Sequence, residues 1–268
     1  MVSYQYQYKV VKSGAITEVY AYENPMSKRL RYYDEDDESE KVVKNKIIRN
    51  DEKENNSKHY RRDNNIKASK KKLNRLIHAN IGQYDETDKF ITLTFETKDK
   101  QSPTREEVIY WFKKFIKRMK YHGKDFEYIY VIERGSRGTR RLHIHMLAFN
   151  FPYMKIERLQ EYWKYGRVDI QATQTIEINS YLVKYVEKQL EDGTIGKGEK
   201  FYFCSKGIKR PTTHLLTEEQ MYEEQHELLR DGTLWYQYNF TSEYVGNVMY
   251  YKYVNFDKLG EYSSRHYW

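Results

Sequence analysis

The stretch DFEYIYVIERGSRGTRRLHIHMLAFN (residues 125–150) predicts two β-strands joined by a turn. Residues 125–134 and 141–150 are rich in β-branched and aromatic residues, as strands usually are. The segment between them, GSRGTR (135–140), has the composition of a turn. Strands joined by so short a connection pair in an antiparallel manner. We therefore expect an antiparallel sheet built around this hairpin.

Strands and helices flank the hairpin on both sides. KFITLTFE (89–96) alternates apolar and polar residues, which predicts a half-buried strand. Residues 102–120 have apolar side chains at helical spacing, with Ser102 as the expected N-cap and Pro103 as the first helical residue. After the hairpin, the pattern predicts a helix over 154–165, a strand over 166–172 and a helix over 178–190. This order predicts an α+β fold in which helices cover a central antiparallel sheet.

The regions outside this core have simpler patterns. Residues 1–23 alternate and predict a strand or hairpin, and residues 65–79 predict a basic amphipathic helix. We accordingly divide the chain into an N-terminal extension (1–87), a central domain (88–211) and a C-terminal extension (212–268) that packs on the core.

Composition limits the classes of function. The 47 Lys and Arg exceed the 39 Asp and Glu, a net charge of +8, which suits a polyanionic partner, although many basic proteins have none. The single cysteine, Cys204, excludes a disulfide framework and a zinc site built from cysteines. GTIGKGEK (193–200) lacks the P-loop spacing, so we expect no nucleotide cofactor. No apolar stretch approaches the about 20 residues of a membrane span, and we expect a soluble cytoplasmic protein.

A candidate metal site lies on the hairpin. His143 and His145 are two residues apart on a strand, so both side chains lie on one face. Glu133 ends the preceding strand, and hairpin pairing brings it toward them. One carboxylate and two imidazoles form a mixed site suited to Mg²⁺ or Mn²⁺. In the alternative, Glu133 is a surface residue paired with Arg134 or Arg141, and spacing alone leaves both interpretations open.

The helix predicted over 178–190 carries candidate nucleophiles. Tyr181, Lys184, Tyr185 and Lys188 lie on one side of this helix, opposite an apolar side. A phenol is a weak nucleophile because its pKa is about 10, and adjacent ammonium groups favour the phenolate. Because the chain contains 28 tyrosines, a pair at this spacing is also expected by chance about one time in ten.

Three motifs in order, FITLTF, LHIHMLAF and YLVKYVEK, resemble those of the HUH endonuclease superfamily, over about residues 89–190. More narrowly, they resemble the rolling-circle replication initiators of small phages and plasmids. Tyr181 and Tyr185 are similar to the tyrosine pair of phage-type initiators, whereas single-tyrosine initiators place theirs at the position of Tyr185. The resemblance implies an RRM- or ferredoxin-like core and an endonuclease that nicks and joins DNA through a 5′-phosphotyrosine. It also implies that Mg²⁺ or Mn²⁺ is bound by Glu133, His143 and His145.

The resemblance further implies the partners. The substrate would be single-stranded or hairpin origin DNA in a bacterial host, and a separately encoded helicase and DNA polymerase would unwind and copy the replicon. Lys184 and Lys188 would orient phosphate or assist the tyrosine. Our hypothesis for phosphate contacts on the basic helix names four residues: Lys70, Lys71, Lys72 and Arg75.

Three other functions fit parts of the pattern. A transposase or relaxase would use the same chemistry on a different substrate. A single-stranded DNA-binding protein without catalysis would explain the charge and the aromatic residues, but not the ordered Glu, His and Tyr set. A zinc hydrolase would add a third histidine, such as His122 or His214, and would leave the tyrosine helix unexplained.

Overall fold

The chain folds into two five-stranded antiparallel sheets with helices around them. The computed structural model describes residues 3–29, 66–84, 88–96, 102–135, 141–173, 182–185, 199–230, 232–242 and 245–258. The strands are β1 Ser3–Ser13, β2 Ile16–Arg29, β3 Lys89–Leu93, β4 Glu127–Arg134, β5 Leu142–Phe149, β6 Val168–Ala172, β7 Phe203–Cys204, β8 Thr212–Leu216, β9 Thr233–Ser242 and β10 Gly246–Val254. The helices are α1 (helical residues 66–78), α2 Arg105–Tyr121, α3 Ile156–Trp163, α4 (helical residues 182–185) and α5 Glu218–Leu228.

The central sheet has the strand order β6-β3-β5-β4-β7. Every pairing in it is antiparallel. Along the chain its elements follow the order β3-α2-β4-β5-α3-β6, which is that of the ferredoxin-like motif. The structure therefore agrees with the prediction of an α+β fold with an antiparallel sheet covered by helices.

The central sheet is buried on both faces, and β5 shows this most clearly. Its even-numbered residues, such as Ile144 and Met146, pack in one core with α2 and α3. Leu147 and Phe149 pack in a second core that α1 and α4 cover. Because side chains alternate along a strand, the odd-numbered His143 and His145 lie on the face covered by α1 and α4.

The start of α2 differs from the prediction. Thr104, not Ser102, is the N-cap residue: its Oγ1 accepts a hydrogen bond from the Glu107 backbone N–H, and the Glu107 carboxylate accepts one from the Thr104 N–H. A Ser102 cap would place Arg105 at the third helical position, and arginine cannot accept the reciprocal bond. The capping box explains why the helix begins at Arg105.

The terminal sheet, β8-β1-β2-β10-β9, joins the two ends of the chain. The predicted strand or hairpin near the N-terminus is present as β1 and β2. β2 pairs with β10, and β1 pairs with β8. The sequence predicted extensions around one sheet and did not predict this second sheet, because its pairing partners lie far apart in the chain.

Helix α1 lies between the two sheets, and its helical character agrees with the prediction. Leu73 and Ile77 are fully buried in the core of the central sheet. On the terminal-sheet side, Arg75 Nε lies 2.5 Å from Glu18 Oε2. Gly14, in the β1–β2 turn, has a φ of 60°, and a Cβ there would lie 2.3 Å from the His78 carbonyl oxygen. The helix thus contacts both sheets closely.

Several predicted features lie outside the described residues. These are the tip of the 135–140 turn, most of the helix over 178–190 with Tyr181 and Lys188, and most of the 193–200 segment. Within the described part of the chain, no helix combines the length and apolarity that a membrane span needs.

Candidate metal centre

Strand register brings the predicted metal ligands together. Glu133 on β4 is directly opposite His143 on β5. His145 lies opposite Val131 on one side and opposite Thr92 of β3 on the other. Side chains at opposite or diagonal positions on one face of an antiparallel pair are close enough to interact.

The three side chains form a compact cluster. One potential ligand atom from each of Glu133, His143 and His145 lies within 4.8 Å of the other two. His145 Nε2 is 2.7 Å from Glu133 Oε2. Glu133 is 4% exposed and His145 6%, whereas His143 is partly exposed. The carboxylate and one imidazole are therefore inside the protein, and the second imidazole faces the opening.

Thr92 belongs to the site, and sequence reasoning did not single it out. Its Oγ1 lies 3.2 Å from His145 Nδ1. If Nδ1 donates its proton to this hydroxyl oxygen, the lone pair of Nε2 points toward Glu133 and is available to a cation. The signal in the sequence was the position of Thr92 on the polar side of FITLTF, but that pattern alone did not identify its partner.

Tyr185 is the described tyrosine nearest the cluster. Its ring stacks on His145, with the centroids 3.7 Å apart and the planes 3° from parallel. Phe90 extends the stack, 6.4 Å from Tyr185 and 5.9 Å from His145. Leu182, one turn earlier on α4, is fully buried in the same core and anchors the helix. Lys184 is exposed, so on α4 it is Tyr185 that packs against the histidine.

The donor set fits a divalent cation. Mg²⁺ and Mn²⁺ accept carboxylate oxygen and, for Mn²⁺ especially, imidazole nitrogen. The carboxylate is buried and would carry its charge more easily beside a cation than alone. The third histidine required by a zinc hydrolase is not near: His122 stacks on Tyr162, and His214 lies on β8 of the terminal sheet.

The residues predicted to contact DNA lie on α1, and two of them contact the terminal sheet. Arg75 binds Glu18 and also donates to the Tyr20 hydroxyl, 3.0 Å away. Lys71 Nζ lies 4.5 Å from the centroid of the Tyr20 ring. Lys70 is partly exposed and Lys72 exposed. For Arg75 at least, the structure shows a packing role.

The family comparison covers this site. Residues 88–190 match the model of a family of replication-associated proteins, the ORF2 group. The match includes β3 through β6, the whole Glu133, His143 and His145 cluster, and Tyr185. The resemblance to replication initiators drawn from the motifs is therefore confirmed for this segment. No curated protein and no solved structure matched the chain.

Proposed function

We propose that this protein is an HUH-type endonuclease that nicks and joins DNA at a specific site and so initiates rolling-circle replication. One observation carries the proposal: the Tyr185 ring packs against His145 of a Glu/His/His cluster, inside the segment that matches the replication-associated family. A nucleophile candidate and a cation site are thus adjacent.

Glu133, His143 and His145 would hold Mg²⁺ or Mn²⁺. When bound, the cation supplies positive charge that polarises the scissile phosphate. Thr92 keeps the His145 ring in one orientation through its 3.2 Å contact with Nδ1. The partial exposure of His143 leaves the cluster accessible from one side, where a phosphate would enter.

Tyr185 would act as the nucleophile. Its oxygen forms a bond to phosphorus while the bond from phosphorus to the 3′ oxygen breaks, and the 3′ oxygen gains a proton to become a hydroxyl. The DNA 5′ end stays on Tyr185 as a phosphotyrosine. Attack by a 3′ hydroxyl reverses the step and joins the strand. Tyr181, one turn earlier in sequence, is the candidate second nucleophile, and Lys184 and Lys188 would orient the phosphates.

This chemistry explains why cutting and joining need no nucleotide cofactor. The phosphotyrosine bond conserves the energy of the phosphodiester, so a 3′ hydroxyl can restore the strand without ATP. The origin must still be unwound and copied, which is why we propose a separately encoded helicase and DNA polymerase as partners.

A covalent-adduct assay tests the proposal. The protein is mixed with Mn²⁺ and single-stranded DNA of its own replicon, and the DNA-linked residue is located by mass spectrometry. We expect an adduct on Tyr185 or Tyr181 that EDTA and the His145→Ala substitution abolish. Tyr153→Phe is the matched control, because Tyr153 is 85% exposed and outside the cluster.

The outcome separates the candidate functions. Tyr185→Phe and Tyr181→Phe, singly and together, show which oxygen is used first. DNA binding by a folded protein that forms no adduct under any metal condition would instead favour a binding protein without catalysis. A nicked circle as product indicates replication initiation, whereas an excised element indicates a transposase.

A further inference from the structure

A second candidate binding site lies on the other side of α1. A groove of about 410 Å³ runs between this helix and the terminal sheet. Its lining includes Lys71 and Arg75 from α1 and, from β9 and β10, Tyr236, Tyr238, Tyr250 and Lys252. Neither the replication-associated match, which ends at residue 190, nor the metal centre includes the β9 and β10 residues of this groove.

The sheet side of the groove carries a row of exposed aromatic rings. Tyr236, Tyr238 and Phe240 alternate on β9 and are 54%, 43% and 40% exposed. The Tyr236 and Tyr238 centroids are 5.5 Å apart, and those of Tyr238 and Phe240 are 5.6 Å apart. Tyr238 also rests on Tyr250 at 5.0 Å, which supports the row from within the sheet. Large rings kept at the surface in a row are available for stacking with planar ligands.

The charges at the groove favour an anion. Glu18 is the carboxylate in the lining, and it is bound to Arg75, whose charge it balances. Lys71 and Lys252 then give the groove an excess of positive charge. Lys71 lies over two of the tyrosines, 4.5 Å from the Tyr20 centroid and 6.0 Å from that of Tyr250. Cations and aromatic faces therefore occur in the same groove.

Single-stranded DNA combines the two features that this groove would recognise. Unpaired bases stack on aromatic side chains whatever their sequence, and their phosphates bind a basic groove. A second copy of the chain is a poorer occupant: if two copies joined groove to groove, the Lys71 and Lys252 of each would meet like charges. β9 itself, TLWYQYNFTS (233–242), has no charged residue that could compensate them.

We propose that this groove is an accessory site for single-stranded DNA, with bases on the Tyr236, Tyr238 and Phe240 row and phosphates at Lys71 and Lys252. The inference rests on the proposed function insofar as DNA is the substrate. The opposite side of α1 packs in the core that includes Tyr185. Groove and metal centre are therefore separated by about the diameter of one helix, roughly 10–12 Å.

Binding measurements on aromatic variants test the stacking part of the proposal. The probe is a fluorescently labelled oligothymidine longer than the roughly 4–16 nucleotides that such platforms cover, followed by anisotropy in EDTA. We expect Tyr236→Ala with Phe240→Ala to weaken binding at least tenfold, while a duplex of equal length loses less. This pair leaves Tyr238 on Tyr250 and so spares the sheet. The matched control removes two tyrosines elsewhere that are 86% and 85% exposed, Tyr121 and Tyr153.

Charge variants provide an independent test that does not disturb the rings. Lys71→Gln with Lys252→Gln removes two phosphate contacts, so the slope of log affinity against log salt should fall by about 1.4 for a single strand. The control, Lys113→Gln with Lys117→Gln, makes the same charge change on the exposed side of α2. An unchanged slope in the Lys71 and Lys252 variant, with its fold intact, would overturn the proposal.

Two further results separate this inference from the proposed function and from a dimer interface. His145→Ala protein should bind the oligothymidine like the wild type, because the groove does not use the metal centre. A protein that forms no tyrosine adduct but loses oligothymidine affinity in the aromatic variant would retain the groove and reject the nuclease. A wild-type dimer in sedimentation that the aromatic variant converts to monomer, with DNA affinity unchanged, would reject the groove.

Discussion

Replacing Arg75 by methionine tests whether this residue supports the fold or binds DNA. The side chains of Arg75 and Glu18 are 19% and 9% exposed, so the ion pair is mostly buried. Glu18 also accepts hydrogen bonds from the Tyr20 and Tyr250 hydroxyls, at 2.9 and 3.1 Å. Breaking a buried pair by removing one partner costs about 3–5 kcal/mol, and the partial exposure of Arg75 favours the lower end. We expect Arg75→Met to lower the free energy of unfolding by about 3 kcal/mol at pH 7.

The same substitution should change how stability depends on pH. Burial alone would raise the pKa of Glu18, but the hydrogen bond and charge of Arg75 lower it below its usual value. In the wild type, the stabilisation from Glu18 is therefore present above the unfolded pKa and is lost as pH falls through the folded pKa. Without Arg75, burial dominates and raises the folded pKa. The variant should then lose stability as pH rises through that value, so its deficit should be larger at pH 7 than at pH 5.

Urea unfolding of four proteins measures both effects: wild type, Arg75→Met, Glu18→Gln and the double variant. The coupling free energy should be about 1.5–3 kcal/mol, because each single variant leaves one polar group without its main partner. Lys72→Met on the exposed side of α1 is the control and should change stability by less than about 0.5 kcal/mol. A cost below about 1 kcal/mol for Arg75→Met, equal in the Glu18→Gln background, would refute the structural role.

Three further substitutions test other parts of the molecule. Thr92→Val removes the hydroxyl beside His145 Nδ1 and should weaken Mn²⁺ binding about 10- to 100-fold by calorimetry; equal affinity would show that Thr92 does not orient the ring. Thr104→Ala removes the cap of α2 and should cost about 1 kcal/mol in urea unfolding, whereas Ser102→Ala should cost almost nothing; the reverse order would show that the cap is misassigned. Gly14→Ala should cost about 1–3 kcal/mol and more than Gly123→Ala, because both glycines have positive φ but only at Gly14 would the new Cβ meet the His78 carbonyl; equal costs would argue against that contact.

The parts of the site that follow from local pattern were predictable from sequence. Alternation along one strand places His143 and His145 on the same face, and the short turn fixes a register that sets Glu133 opposite His143. The helix pattern identified the tyrosine and lysine positions, but not that Tyr185 would stack on His145 while Leu182 is buried beside it. That contact depends on how α4 docks on the sheet, which no spacing within the helix determines.

The features that sequence did not predict all depend on distant partners. Thr92 was recognisable as a polar strand residue, but its role follows from the pairing of β3 with β5. Arg75 belongs to a basic stretch, a pattern that indicates a DNA contact equally well. Only the position of Glu18 on β2 shows that Arg75 is engaged within the protein. The terminal sheet was missed for the same reason, since alternation predicts a strand but does not name its neighbour.

The joining of both chain ends in one sheet has a consequence for how the protein folds during synthesis. Glu18 and the Tyr250 hydroxyl that binds it are 232 positions apart in the chain. At about 5–20 residues per second, β2 emerges from the ribosome on the order of tens of seconds before β10. During that interval β1 and β2 form at most an isolated hairpin, which is marginally stable alone and presents unpaired strand edges. The period before β10 is complete is therefore when newly made chains are most prone to aggregate, and slower translation would lengthen it.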